Sequence, residues 1–412
     1  MKPVRIVVIL GAALVAACAP ASKKGETVLT FSGSALGAEG TLVQKQLKQF
    51  MQLNPGIRVE LQRTPDDANQ RHQLYVQWLN ARVGNPSILQ LDVVWTPEFA
   101  AAGWVLPLDP YSPARAEFFP ATIVANTWAG KLYALPWFAD VGLLYRRTDL
   151  VPNEPKTLEE MVSQAQAAMA RRGGPRYGIV SQGARYEGLI TGFVEYLGAF
   201  GGRIIDDKGN VVVNHPEAVR ALEFMRDELY KTHVAPLDVL TWHEEEARFA
   251  FQNGNAAFMR NWPYAYAPSQ AADSAIRGKF DIAPLPAQPG GKSSGTIGGW
   301  GMAVSKYSKV PDAATQLVRY MVSPEVQTFR AIAGGFVPTI QSVAENPDVN
   351  QAMPYLKTVA TVERVGRPAG AYGDNYNQAS TAFFQGVSQI LGGQEAAQVL
   401  PGVAQKLTQL LS

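Results

Sequence analysis

The chain of 412 residues has one cysteine, four histidines and almost no net charge, and each shortage removes a class of chemistry. A single thiol cannot close an internal disulfide, so Cys18 must be incidental, reactive or attached to something. With no second cysteine and histidines scattered at positions 72, 215, 233 and 243, a zinc site has few ligands to draw on. Setting Lys2 and Arg5 aside, 35 basic side chains stand against 35 acidic ones, a balance that gives nucleic acid nothing to attract. Internal repeats and heptad runs are missing as well. The apolar run at 6–15 is roughly half the ~20 residues that a spanning helix needs, so a permanent transmembrane segment is not expected there.

What surrounds that run has a different meaning. Lys2 and Arg5 make a basic start, residues 6–15 an apolar centre, and Ala16-Ala17 a small-residue cleavage site, which together read as a signal peptide over 1–17. Val15-Ala16-Ala17-Cys18 resembles a bacterial lipobox, in which the cysteine becomes the acylated first residue of the mature protein. The plainer alternative is a cysteine inside an ordinary signal peptide. Residues 18–26 are small, polar and lysine-containing, which suits a flexible, lipid-anchored tether. The expectation is a soluble body that works outside the cytoplasm, held to a membrane by lipid.

About 390 residues remain, which as a prior means two domains with separate cores. Hydrophobic residues are 47% and charged ones 17%, an ordinary globular composition. Residues 28–31 read as a buried strand, and 41–53 place Leu42, Val43, Leu47, Phe50 and Met51 on one helical face. Asn54-Pro55-Gly56 ends that helix, residues 57–61 alternate as a second strand, 68–83 look helical, and 89–95 form a third strand. A short helix follows at 97–102. This βαβαβ order predicts an α/β fold with a parallel sheet covered by helices. Further on, 141–145 predict a strand, Thr157-Leu158-Glu159-Glu160 a capping box, 214–232 a capped helix, and Ser323-Pro324-Glu325 a helix start.

Catalytic motifs are present in letter but not in context. Gly291-Lys292-Ser293-Ser294-Gly295 matches the G-x-S-x-G nucleophile elbow, yet no histidine follows His243, where a triad would need one. The same stretch lacks the leading glycine of a phosphate loop, since Pro286 stands in its place. His243-Glu244 begins like a zinc-protease helix, but Ala247 occupies the second ligand position. Glu244-Glu245-Glu246 is read instead as the acidic first turn of a helix.

Polar groups beside aromatic ones recur at wide intervals: Asp92-Val93-Val94-Trp95, Trp137-Phe138-Ala139-Asp140, Asn261-Trp262-Pro263-Tyr264, Gly298-Gly299-Trp300, and Arg367 to Tyr372. Eight tryptophans, most of them beside Gly, Pro or a charged residue, fit a carbohydrate surface better than a uniform core. A pyranose has one face of C–H groups, which an aromatic plate covers without needing a polar partner. Its rim of hydroxyls donates to ionised Asp or Glu and accepts from Arg.

Gly130-Lys131-Leu132-Tyr133-Ala134-Leu135-Pro136, with Asp140 and Gly142-Leu143-Leu144-Tyr145-Arg146, resembles the first interdomain crossing of an extracellular solute-binding protein of a bacterial ABC sugar importer. Gly298-Gly299-Trp300-Gly301-Met302-Ala303-Val304 is similar to the second crossing, and Gly334-Gly335-Phe336-Val337-Pro338 to the stretch before the third. The likeness covers essentially the whole mature chain and is nearest to the trehalose/maltose-binding branch. It implies a two-lobed, maltodextrin-binding-like fold of the periplasmic-binding-protein type II, with sugar held in the cleft. The first lobe would take residues 27–137 and 302–345, the second 141–298 and 346–412, with hinges near 138–141, 299–301 and 345. It implies a monomer that meets its permease, needs no cofactor or metal, and is not an enzyme.

The resemblance also implies site residues. Glu39 occupies the place of an acid after the first strand, Arg71 that of an arginine early in the second helix, and Asp92 and Asp140 those of aspartates that accept sugar hydroxyls. Trp262 and Trp300 match stacking aromatics, Gly298 a close backbone contact, and Arg367, ahead of Tyr372, the arginine of the second lobe. Phe138 departs from the branch, which often has tyrosine there, so one hydroxyl contact is lost. For each acid the ordinary alternative is a solvated carboxylate or helix cap. Two other functions stay open: the same fold binding another solute (sucrose, glucose, a glycerol phosphate or a polyamine), or an exported carbohydrate-active enzyme using Asp92 and Asp140 as an acid and base pair.

Overall fold

In a computed structural model the described residues are 25–111 and 115–411. The signal peptide, Cys18 and the tether up to Lys24 lie outside them. The N-terminal βαβαβ unit forms as its pattern predicts. Strand β1 (Thr27–Gly33) runs parallel to β2 (Ile57–Arg63), with Thr27 opposite Ile57, and to β3 (Ile88–Asp92), with Phe31 opposite Ile88. Helix Glu39–Leu53 buries Leu42, Val43, Leu47 and Phe50, and helix Ala68–Asn80 follows β2. The third strand stops at Asp92, three residues earlier than predicted, because the chain turns there and Trp95 N–H donates to the Asp92 carbonyl at 2.9 Å.

A small hairpin, β4 (Thr127–Trp128) and β5 (Lys131–Leu132), leads into β6 (Leu135–Val141) and β7 (Leu143–Arg147). The single strand predicted at 141–145 is therefore two strands broken at Gly142. A side chain at Gly142 would have its Cβ 1.7 Å from Glu195 Oε1, so glycine is required by close approach. Around β7 a second sheet forms in the order β10 (Phe280–Ala283), β7, β9 (Ala256–Asn261), β8 (Tyr177–Val180). The eleven-residue β11 (Ser294–Val304) returns to the first sheet, antiparallel to both β3 and β6, and its start pairs with β12 (Glu363–Val365). Beside β6 the segment before the third predicted crossing is pinned: Ala139 N–H donates to the Val337 carbonyl at 2.9 Å and Thr339 Oγ1 to the Pro136 carbonyl at 3.0 Å.

Helix starts follow the sequence with two adjustments. Thr157 caps helix Leu158–Met169 by accepting from Glu160 N–H, but Glu160 reaches back to Lys156 N–H rather than to Thr157. The helix predicted at 214–232 runs Pro216–Tyr230 with His215 at its cap position, so proline at the first turn, not Asn214, sets the start. Among the described residues the buried apolar side chains fall into two clusters, each reaching both sheets. One buried apolar cluster joins Leu89 and Leu91 of β3 to Leu144 and Phe258 of the second sheet, and the other joins Leu29 and Phe31 to Tyr145 and Met259.

A buried ion pair ties the second sheet to the crossing strand. Glu195, on helix Glu187–Ala199, accepts from Arg260 Nε at 2.8 Å and from Thr296 N–H of β11 at 3.0 Å, while Arg260 Nη1 donates to Gln182 Oε1 at 3.0 Å. Removing one partner of such a pair leaves an uncompensated buried charge. Glu195→Ala is expected to lower stability by about 3–5 kcal/mol in denaturant unfolding; an unchanged midpoint would remove the pair from any structural role.

Candidate functional site

The ladder of β11 assembles the site. Its register sets Trp300 opposite Asp92 of β3 and Gly298 opposite Asp140 of β6, so residues far apart in the chain become neighbours. Side chains from both sheets and their flanking helices line a cavity between them. Eight predicted residues line it: Glu39, Asp92, Phe138, Asp140, Trp262, Gly298, Trp300 and Arg367. Gly298 matters by absence of a side chain, since a Cβ there would sit 3.1 Å from the Trp262 ring and 3.2 Å from Asp140 Cβ.

The aromatic walls are held from behind. The Arg260 guanidinium lies over Trp262 at 4.2 Å, and Trp262 Nε1 donates to Glu244 Oε1 at 3.4 Å. Arg71 lies over Trp300 at 4.5 Å, and Trp300 meets Trp95 edge to face at 5.6 Å. Phe138 packs against Phe336 at 4.9 Å, with Arg330 over both rings. The ring and guanidinium contacts fix these large rings without using hydrogen-bonding capacity inside the cavity.

Six carboxylates face the cavity, Glu39, Asp66, Asp92, Asp140, Glu187 and Glu244, and five have protein donors. Glu39 accepts from Ser34 Oγ and, at 3.1 Å, from Gln90 Nε2, with Arg330 at 3.8 Å. Asp66 accepts from Ala35 N–H at 2.9 Å. Arg367 donates to Asp92 at 2.9 Å and to Glu187 at 2.8 Å, and Glu187 also accepts from Tyr376 at 2.6 Å and from Ser380. Among the described residues none donates to the Asp140 carboxylate. Burial, reinforced by the charges of Glu39 and Asp92 and opposed by Arg260 and Arg330, pushes its pKa well above the carboxylate range. Burial raises Glu39, Asp92 and Glu244 too, against the pull of Arg330, of Arg367, and of the Tyr186 and Trp262 donors respectively. Burial brings Arg330 down to about 10, although Glu39 and Asp140 favour its charge.

Two predicted residues stand outside the lining. Arg71 is buried behind Trp300 and donates to the carbonyls of Pro65 at 3.0 Å and Asp66 at 3.2 Å, bracing the turn that carries Asp66. Tyr372 is buried in the apolar cluster with Tyr376. Sequence reasoning missed Asp66, Tyr186, Glu187, Glu244, Tyr264 and Phe336 as lining residues. Glu244 is the acidic first turn it was read as, but it is also buried facing the cavity. Tyr264 and Phe336 sat inside motifs already singled out; Glu187 carried no local signal. Of the false motifs, Ser293 Oγ donates to the Leu285 carbonyl at 2.6 Å and is not poised as a nucleophile.

The chain matches the family model of bacterial extracellular solute-binding proteins over residues 34–328. A probable ABC transporter-binding protein of Deinococcus radiodurans is 40% identical over 406 residues, covering 95% of this chain and 94% of that one. Among solved structures, the maltose-bound MalE3 of T. maritima is 38% identical with a TM-score of 0.89, over 93% of this chain and 100% of that one. The maltotriose-bound maltotriose binding protein of Thermus thermophilus, 22% identical over 93% of this chain and 99% of that one, has a TM-score of 0.75 and shares the two-lobed fold.

Asp140 sets up a trade between stability and site chemistry. A carboxyl whose folded pKa is above its unfolded value costs nothing below the unfolded pKa and destabilises increasingly as pH rises toward the folded one. Asp140→Asn is therefore expected to gain about 0.5–2 kcal/mol at pH 8 and less at pH 5 in thermal unfolding. A loss of stability at pH 8 would contradict the environment described.

Proposed function

This chain belongs to the bacterial extracellular solute-binding proteins, and from that premise we propose that it captures a di- or oligosaccharide of the maltose or trehalose type for an ABC importer. The observation that carries the reading is the Asp140 carboxylate, left without a protein donor in a cavity walled by Phe138, Trp262 and Trp300. A sugar supplies what this arrangement lacks: hydroxyl donors for Asp140 and a C–H face for the rings. Hydrogen bonds to charged groups contribute roughly 1.5–3 kcal/mol each, so a few of them with one or two ring contacts suffice for micromolar binding, about 8 kcal/mol. The maltose carried by the T. maritima relative supports the same class of ligand. Glu39, Asp92 and Arg367 act as a preset frame, and Gly298 lets Trp262 come close. Arg71 acts from behind Trp300, and Tyr372 from within the second lobe.

A phosphorylated solute fits less well, because the one arginine in the lining already serves Asp92 and Glu187. A polyamine would find most of the carboxylates already committed. An acid and base role for Asp92 is opposed by Arg367, which spans both its oxygens. In this reading residues 27–137 and 302–345 form one lobe and 141–298 with 346–412 the other. The pairing of β6 and β11 between the two sheets supports hinges near 138–141 and 299–301, and the pinned segment at 337–339 a third near 345. Closure about those hinges would bury the ligand from both sides and present both lobes to a permease. Cys18 would carry the lipid that keeps the receptor, a monomer, at the membrane.

Calorimetric titration of the protein lacking residues 1–18 with maltose, trehalose, sucrose, glucose and glycerol 3-phosphate tests the ligand class. One-site micromolar binding of a disaccharide is expected, weakened at least about tenfold in Asp140→Ala and in Trp262→Ala; no heat with any sugar would sink the assignment. For the anchor, Cys18→Ser should move the full chain into the soluble fraction with sugar affinity intact, and membrane retention of that variant would argue against lipidation.

A further inference from the structure

Among the described residues, polar contacts join the two sides of the cavity, and one of them is titratable near neutral pH. Arg367 reaches Asp92, Asn69 Oδ1 accepts from Glu187 N–H at 2.7 Å, and His243 Nε2 lies 3.0 Å from Asp67 Oδ2. Neither Asp67 nor His243 lines the cavity, yet each is next in sequence to residues that do: Asp66 and Ala68 on one side, Glu244 on the other. Asp67 caps helix Ala68–Asn80 with its other oxygen, accepting from Gln70 N–H at 2.9 Å, so Oδ2 is free to face His243. Arg71 braces the turn just before it. His243 precedes helix Glu244–Gln252, and its backbone N–H is held by Glu246 at 2.9 Å.

We propose that Asp67 and His243 form a proton-dependent latch on the closed cleft, strengthening ligand retention while the imidazole is charged and weakening it when the imidazole is neutral. This rests on the lobe assignment made above, which puts the two residues on opposite lobes. The groups facing the imidazole are Asp67 from the first lobe, Glu244 and Glu246 from its own helix, with Glu246 at 4.0 Å, and the Tyr186 ring at 4.5 Å. When the lobes part, Glu244 and Glu246 stay with His243 and Asp67 leaves. The hydrogen bond to Asp67 raises the His243 pKa, against partial burial. Burial opposes the charge of Asp67, but His243 and the Gln70 N–H hold it below its ordinary value.

The sign follows from linkage. With the imidazole pKa higher closed than open, the latch is fully present below the open-state pKa and is lost as pH rises through the closed-state one. The window is that of a histidine raised from its usual position, so the change begins in the ordinary imidazole range and extends above it. Because His243 keeps 35% of its side chain exposed, the effect is that of a partly solvated pair, about two- to five-fold in the closed-to-open ratio. A receptor outside the cytoplasm meets external pH directly, so this contact would hold ligand longer in acid surroundings.

The test compares wild type with His243→Gln, which keeps a hydrogen-bonding group but cannot titrate, and Asp67→Asn, which can still cap the helix. All are made without residues 1–18 and carry dyes on cysteines replacing exposed Lys48 and Asp207, one on each proposed lobe. Single-molecule energy transfer without sugar reads the closed fraction, and calorimetry with maltose reads affinity. The expected result is a two- to five-fold larger closed-to-open ratio at pH 6 than at pH 8.5 in wild type, with that increment gone in both variants. Titration of Asp140 is common to all three proteins and cancels in the comparison. A wild-type closed fraction that does not change with pH, or a change that persists in both variants, overturns the latch whatever maltose does. If the increment appears in wild type and vanishes in the variants while maltose binds none of them, the latch stands and the maltose reading fails.

Discussion

The antiparallel ladder of β11 is the constraint on which the cleft depends. Main-chain hydrogen bonds to β3 and β6 hold Asp92, Asp140, Gly298 and Trp300 in fixed register, and a one-residue slip would turn every side chain to the opposite face. The same strand begins beside β12 and ends in the first sheet, so one continuous backbone both builds the floor of the cavity and passes from one side of the molecule to the other. Gly142 and Gly298 serve this crossing by omission: the first admits Glu195 and the second admits Trp262.

A floor made of carboxylates needs compensation, which Arg367 supplies from the lining itself and Arg330 from behind it. Arg260 is paired to Glu195, Arg330 faces Glu39, and Arg367 spans Asp92 and Glu187. The arginines also carry the aromatic walls, since Arg260, Arg71 and Arg330 lie over Trp262, Trp300 and Phe138. Arg260 and Arg330 thus combine charge neutralisation with ring placement. Asp140 is the exception left over from this compensation: among the described residues it is the one carboxylate of the lining with no protein donor.

Polar contacts outside the cavity also link its two sides. Asn69 satisfies a helix-terminal N–H of Glu187 that would otherwise lack a partner, and Asp67 meets His243 at the solvent edge. Trp300, on the crossing strand β11, packs against both apolar clusters.

The sequence by itself determined what depends on near neighbours in the chain. Periodicity located helix Glu39–Leu53, turn residues ended it, proline marked the helix at Pro324, and alternation located β2, because these are set within a few residues by backbone geometry and amphipathic faces. Family likeness put Asp92, Asp140, Trp262, Trp300 and Arg367 on the candidate surface, and all five line the cavity. What only the tertiary structure decided is which acids are already spoken for. That Glu187 faces Arg367 across 180 residues, that Glu244 is buried rather than solvated, and that Arg71 stands behind a ring are consequences of long-range register and packing. A carboxylate's partner and its desolvation are properties of the folded surroundings, and no local pattern encodes them.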